Sequence, residues 1–136
     1  MPRRISASVV LVLILLLTNC SSSTNPNSPS VDLSGTWSGL IQDSAGGAGT
    51  LRVTFVQSGN SLSGMWTALF SNPANNKGGN LTGTVNGNVI AAMFTTAGPC
   101  SYGVSFTLNG NQIIGTYTSG NTCAAVVSGN FTLTKQ

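Results

Sequence analysis

Residues 102–118, with the sequence YGVSFTLNGNQIIGTYT, decide the fold. Large apolar or aromatic side chains alternate with small or polar ones on both sides of Asn109-Gly110, a dipeptide typical of two-residue turns. This alternation is typical of β-strands with one buried face, and two such strands joined by a tight turn form an antiparallel hairpin. With Asn109-Gly110 as the turn, Phe106 is predicted to lie opposite Ile113.

A second hairpin has the same pattern. Residues 85–92 (VNGNVIAA) match residues 108–115 (LNGNQIIG) almost position for position. Asn86-Gly87 is then the turn, which predicts that Gly83 lies opposite Ile90. In both hairpins a small inward residue is expected to face a large one, and such pairing fills a narrow interior.

The alternation with a period of two extends over the whole segment from residue 31, and no stretch of it has the period of a helix. A four-residue loop at 58–61 sets Phe55 against Gly64. Clusters of Gly and Asn divide the segment into eight predicted strands: 33–41, 50–57, 62–70, 80–85, 88–95, 102–108, 111–118 and 125–134. The prediction is an all-β fold, an eight-stranded antiparallel up-and-down β-barrel. A β-sandwich is the alternative, but it needs connections that cross between two sheets.

The connections differ in length, and this gives the predicted barrel two unlike ends. Tight turns and the amino terminus share one end. The longer connections share the other, open end, and they are residues 42–49, 71–79, 96–101 and 119–124. The predicted ligand-binding residues face inward near this end or somewhat deeper: Trp37, Ile41, Leu51, Trp66, Phe70, Phe94, Tyr102 and Tyr117. They predict either an apolar ligand pocket or a filled core, because eight strands enclose little more than their own side chains.

The strand order and the Gly35-Thr36-Trp37 motif in the first strand resemble the calycin superfamily of lipocalins and avidins. Leu62-Ser63-Gly64 is also similar to early avidin strands. The resemblance implies a barrel with a mouth that accepts a ligand. Lipocalins usually place an arginine of the last strand over the tryptophan, and this chain offers Lys135 there. The late tryptophans that surround biotin in avidins are missing, so biotin is not implied.

The first 19 residues are predicted to be a signal peptide. Arg3 and Arg4 precede an unbroken apolar run from Val9 to Leu17, which is too short for a comfortable membrane span but typical of a signal-peptide core. Leu17-Thr18-Asn19-Cys20 follows and resembles the bacterial lipobox. The resemblance implies cleavage before Cys20, a diacylglyceryl thioether and an N-linked acyl chain such as palmitate. An ordinary signal peptide with a chance cysteine is the alternative.

The predicted organisation is therefore a signal peptide at 1–19, a lipidated Cys20 with a disordered tether at 20–30, and a barrel domain at 31–136. Ser21 directly after the cysteine resembles the outer-membrane sorting pattern. The expected location is the bacterial cell envelope, as an outer-membrane lipoprotein that faces the periplasm or the cell surface. The protein is expected to bind the membrane through the lipid anchor.

Two cysteines remain, Cys100 and Cys123, an even pair in an oxidising compartment. They flank one hairpin, which favours a disulfide between neighbouring loops. A metal site is the alternative, but two thiolates without histidine make a poor ligand set.

The composition argues against catalysis. The chain has no His and no Glu, and Asp32 and Asp43 are its only carboxylates, each without an evident partner. General acid–base chemistry and an activated serine both need such a group. Three cations in the predicted mature part, without a cluster, are no footprint for nucleic acid. No enzyme activity and no cofactor are expected.

Two functions remain open from the sequence. The first is a lipocalin-like module that binds a small apolar or amphiphilic ligand. The second is a structural or interaction lipoprotein with a filled barrel, which contacts envelope proteins through residues 42–49 and 71–79.

Overall fold

The computed structural model describes residues 31–136, and the predicted barrel is confirmed there. The predicted signal peptide at 1–19, Cys20 and the tether to residue 30 lie outside the described residues. The strands are β1 (Gly35–Asp43), β2 (Gly47–Ser58), β3 (Ser61–Phe70), β4 (Lys77–Asn86), β5 (Val89–Thr96), β6 (Ser101–Asn109), β7 (Gln112–Ser119) and β8 (Ser128–Lys135). Each strand pairs antiparallel with its neighbours in sequence, and β8 pairs with β1. This closure excludes the sandwich. Within the described range, no helix is long and apolar enough to cross a membrane.

The tight turns use Gly-Asn rather than the predicted Asn-Gly. Asn109 pairs with Gln112, so the turn residues are Gly110 and Asn111, and Gly110 has φ of 62°. A glycine with positive φ at the first central position is the arrangement of a type II′ turn. The corresponding turn between β4 and β5 has Gly87, with the same φ of 62°.

This choice of turn moves the register of two hairpins by two residues. Phe106 pairs with Gly115, so the predicted pairing with Ile113 is wrong. Gly83 pairs with Ala92 rather than with Ile90. A shift of two residues keeps each side chain on its predicted face, because side chains alternate with a period of two. The pairing of Phe55 with Gly64 is confirmed.

The inward glycines let large rings fill the barrel. A Cβ atom at Gly115 would overlap the Phe131 ring and would lie 2.6 Å from the Phe106 Cβ atom. Phe106 is buried and lies 5.6 Å from the Phe55 ring, centroid to centroid. The large-against-small pairing predicted for the interior is therefore present, with a different partner for Phe106.

The amino-terminal segment closes the floor of the barrel, at the end of the tight turns. Leu33 is completely buried, and its carbonyl oxygen accepts a 2.8 Å hydrogen bond from the Trp37 indole nitrogen. Gln57 binds this segment as well, because its side chain accepts from the Leu33 N–H at 2.8 Å and donates to the Val31 carbonyl at 3.0 Å. Lys135 lies over the Trp37 ring, with Nζ 5.7 Å from the ring centroid.

Three of the four connections at the open end are shorter than predicted, and the fourth is longer, because β8 begins at Ser128 rather than at residue 125. β1 and β2 continue to Asp43 and from Gly47, so the predicted loop 42–49 is reduced to residues 44–46. The predicted disulfide is confirmed: Cys100 and Cys123 are bonded, with Cα atoms 4.4 Å apart. The bond joins the β5–β6 connection to the β7–β8 connection, the longest one in the described barrel.

Candidate functional site: the barrel mouth

Most of the predicted ligand-binding residues meet around one small space inside the open end. Seven of them line it: Ile41, Leu51, Trp66, Phe70, Phe94, Tyr102 and Tyr117. Trp37 does not, because it lies in the floor against Leu33. Five further residues complete the lining, and these are Asp43, Ala68, Lys77, Val104 and Phe131.

The space itself is small. It offers about 20 Å³ to the centre of a water-sized sphere, and a cavity of that size holds about one water molecule. Small-molecule sites are typically about 300–1,000 Å³. The side chains at the mouth therefore largely fill it.

Aromatic rings pack against one another in a continuous row below the mouth. Trp66 lies 5.4 Å from Phe94 and 5.8 Å from Tyr102, measured between ring centroids. Tyr102 and Tyr117 lie 5.9 Å apart with their planes at 83°, an edge-to-face contact. Such pairs are worth about 0.5–1.5 kcal/mol beyond their burial, so the rings hold one another in place.

Asp43 is one of two charged residues of the mouth that the sequence interpretation missed. The sequence predicts a loop residue without a partner at this position, but Asp43 ends β1 with its side chain inward and is 7% exposed. The Tyr117 hydroxyl donates to Oδ2 at 2.6 Å. The N–H groups of Ala45 and Gly46 donate to Oδ1 at 2.9 and 2.6 Å. The strand alternation contained the signal, since Asp43 is in phase with inward Trp37 and Ile41.

These contacts keep the Asp43 carboxylate ionised. Burial raises the pKa of Asp43, but the hydrogen bonds from Tyr117, Gly46 and Ala45, together with the Lys77 charge, outweigh burial and lower it below the ordinary value of 3.8. The pKa of Tyr117 is raised, first by burial and then by the hydrogen bond to Asp43 and its charge. Tyr117 therefore remains a donor at neutral pH.

Lys77 lies across the mouth and was also missed, because β4 begins there rather than at residue 80. Its Nζ is 3.7 Å from Asp43 Oδ2. The same atom is 5.5 Å from the Tyr102 ring centroid and 5.9 Å from that of Phe70. The Lys77 side chain is 25% exposed, whereas that of Asp43 is 2% exposed.

The mouth therefore combines ring faces, one fixed carboxylate and one partly exposed ammonium group. These are elements of binding. Among residues 31–136, no three His, Cys, Asp or Glu side chains are grouped as metal ligands.

The fold and the mouth define the class of the protein as a closed, eight-stranded, antiparallel up-and-down barrel with an aromatic mouth. No model of a known protein family matches the chain, and no curated protein is significantly similar to it. The function is therefore inferred from the mouth and from the sequence patterns.

Proposed function

We propose that the protein is a non-enzymatic lipoprotein of the bacterial cell envelope, a filled barrel that holds its open end away from the membrane and contacts envelope partners there. The observation that carries this proposal is the size of the interior space, about 20 Å³. A space for about one water molecule leaves no room for a typical ligand inside the barrel.

The geometry of the ends supports the orientation. The described chain enters at the floor, where Leu33 and Trp37 lie, and the lipobox-like Cys20 precedes that point in sequence. An acyl anchor on Cys20 would hold the floor near the membrane, so the disulfide-linked connections and Lys77 would face away from it.

The surface beside the mouth supports contact with a partner. Leu40 on β1 is 71% exposed and Leu69 on β3 is 50% exposed. Both pair with Thr50 on β2, so the two leucines flank one outward threonine, four residues from the connection at 44–46. Exposed apolar side chains that lie together indicate a contact surface more than isolated ones do.

The anchor is tested by expressing the full chain in a bacterial host with labelled palmitate. We expect a labelled, membrane-bound protein whose mature chain begins at Cys20, and a Cys20→Ser variant without label or membrane binding. Equal membrane binding of the two proteins would contradict the anchor.

The partner surface is tested with photo-crosslinking side chains at Leu40 and Leu69 in the intact envelope. Val56, which is 61% exposed but lies near the floor, two residues before the end of β2, is the matched control position. We expect the same protein to be captured from both leucine positions and not from Val56. Capture from all three positions, or from none, would count against an open-end partner.

A second function is supported by the convergence of the predicted ligand-binding residues. Most of the side chains that line the space are apolar or aromatic, and an outward turn of the partly exposed Lys77 side chain would enlarge it. A small apolar or amphiphilic ligand would then bind as in a lipocalin. Native mass spectrometry of the purified lipoprotein tests this, since a bound ligand adds mass that is lost on collisional activation, whereas a filled barrel retains the bare mass of the lipidated chain.

A further inference from the structure

The ammonium group of Lys77 is held in the way that a cationic ligand is held. Its Nζ lies between the faces of Tyr102 and Phe70, at 5.5 and 5.9 Å from their centroids, and 3.7 Å from Asp43 Oδ2. Ring faces attract a cation through their quadrupole, and recognition of ammonium ligands by aromatic cages uses this contact. Here four different strands contribute the cation and its three neighbours.

Two of the three groups that surround this cation are held by contacts that do not involve it. Asp43 is held by the Tyr117 hydroxyl and by the N–H groups of Ala45 and Gly46. The Tyr102 ring is held edge-on by Trp66 and Tyr117. Removal of Lys77 would therefore leave a buried carboxylate beside ring faces, a preorganised site with its cation missing.

Lys77 is the movable part of this arrangement. Its side chain is 25% exposed, and a lysine side chain is a flexible four-carbon stem with a compact charge. The carboxylate that it faces is 2% exposed. An ammonium ion from solution could thus replace the Lys77 ammonium group while Lys77 turns into water, and the charge of Asp43 would stay paired.

We propose that the barrel mouth is a binding site for organic ammonium ions, in which Lys77 is an internal occupant that the ligand displaces. Primary alkylammonium ions with a short chain fit best, because they match the Lys77 side chain, whose departure vacates its own volume beside the Tyr102 and Phe70 rings. This site goes beyond the proposed function, since it needs neither the lipid anchor nor a protein partner.

Because Lys77 occupies the site, we expect a free ammonium ligand to bind the wild-type protein only weakly. Lys77 is attached to the site, so its effective concentration is high and a free ligand must compete with it. Replacement of Lys77 by alanine removes the competitor and vacates the volume of its stem.

The probe is n-butylammonium, which copies the lysine side chain, and n-butanol is its neutral control, with sodium chloride matching the ionic strength. The chain has two tryptophans, so the ¹⁵N spectrum of the full lipoprotein in detergent contains two indole signals. Trp66 lines the mouth and Trp37 lies in the floor. We expect n-butylammonium to shift the Trp66 signal in a saturable way and to leave the Trp37 signal in place.

Three variants make the test specific. K77A is expected to bind n-butylammonium at least about tenfold more tightly than the wild-type protein, which corresponds to about 1.4 kcal/mol. D43N in the K77A background is expected to lose the preference for n-butylammonium over n-butanol. K135A is the matched control, because Lys135 also lies over an aromatic ring, that of Trp37, but at the opposite end of the barrel, and this variant should bind as the wild type does.

Equal binding of n-butanol and n-butylammonium to K77A would overturn the proposal, and so would n-butylammonium binding to K77A that is no tighter than binding to the wild-type protein. If K77A does not fold, which the Trp37 signal reports, the wild-type titration decides alone: saturation by the ammonium ion and not by the alcohol supports the site. Failure of these tests would leave the anchor and crosslinking results unaffected.

Discussion

Removal of the Tyr117 hydroxyl is expected to destabilise the barrel in a way that depends on pH. Tyr117→Phe keeps the ring, which packs edge-on against Tyr102 at 5.9 Å, and removes the O–H that donates to Asp43 Oδ2 at 2.6 Å. A hydrogen bond to a charged group contributes about 1.5–3 kcal/mol. Asp43 keeps its two backbone donors, so we expect the loss to lie in the lower half of that range near neutral pH.

The sign of the pH dependence follows from the pKa of Asp43. That pKa lies below its ordinary value of 3.8 in the folded protein, so the ionised carboxylate stabilises the fold above the unfolded pKa, and this contribution is lost as pH falls through the folded pKa. Tyr117→Phe removes one group that lowers the pKa. The difference in the free energy of unfolding between wild type and variant should therefore be largest at neutral pH and should become smaller in acid.

Urea unfolding, followed by tryptophan fluorescence, measures this difference at about pH 7 and at about pH 3. The same pair of proteins in the Asp43→Asn background closes a double-mutant cycle. We expect the coupling between the two positions to account for most of the loss at neutral pH. An equal loss at both pH values, or a loss under about 0.5 kcal/mol at neutral pH, would refute the role given to this hydrogen bond.

Three further predictions concern the frame that holds the mouth. Reduction of Cys100–Cys123 should lower the free energy of unfolding by about 3 kcal/mol in denaturant titrations with and without reductant, because the bond closes a loop of 23 residues; an unchanged midpoint would contradict this. Gly129→Ala should lower stability by about 1–3 kcal/mol, since its Cβ would overlap the Gln42 carbonyl oxygen and lie 2.5 Å from the Tyr117 hydroxyl. Gly103→Ala is its control and should leave stability nearly unchanged, because no atom lies within 4 Å of a Cβ there; thermal melts of both variants measure the difference. Leu33→Ala should cost about 2–5 kcal/mol, whereas Leu40→Ala, at a position 71% exposed, should cost little; similar costs would show that the amino-terminal segment does not close the floor.

The faces of the strands could be predicted from the sequence even where the pairing could not. Ile90 and Phe94 are buried and Val89 is half exposed, as the alternation predicts. The predicted partner of Phe106 was wrong because residues 109–111 are Asn-Gly-Asn. This tripeptide contains both Asn-Gly and Gly-Asn, and either dipeptide can form a two-residue turn. The two readings differ by two residues, and this difference leaves the hydrophobic pattern unchanged, so the pattern could not choose between them.

At the mouth, the sequence predicted the aromatic residues but not the charged ones. The aromatic residues were found because aromatic side chains at inward positions stand out along a strand. Asp43 and Lys77 were not predicted to line the mouth. Each lies at the end of a strand, and the glycines that follow it in sequence favoured a loop there. Their strand assignments depend on pairing with neighbouring strands: Asp43 pairs with Gly47 and Lys77 with Ala68.

The sequence by itself determined the strand content, the faces and the closed order of the barrel, because alternation and turn residues are local properties of the chain. It also contains the lipobox-like pattern at Cys20, which stays a prediction. Only the tertiary structure decided that the interior is nearly full and that Asp43, Tyr117 and Lys77 meet. Tyr117 and Asp43 are 74 residues apart in sequence, and no local pattern encodes a contact that forms only when β8 pairs with β1 and closes the barrel.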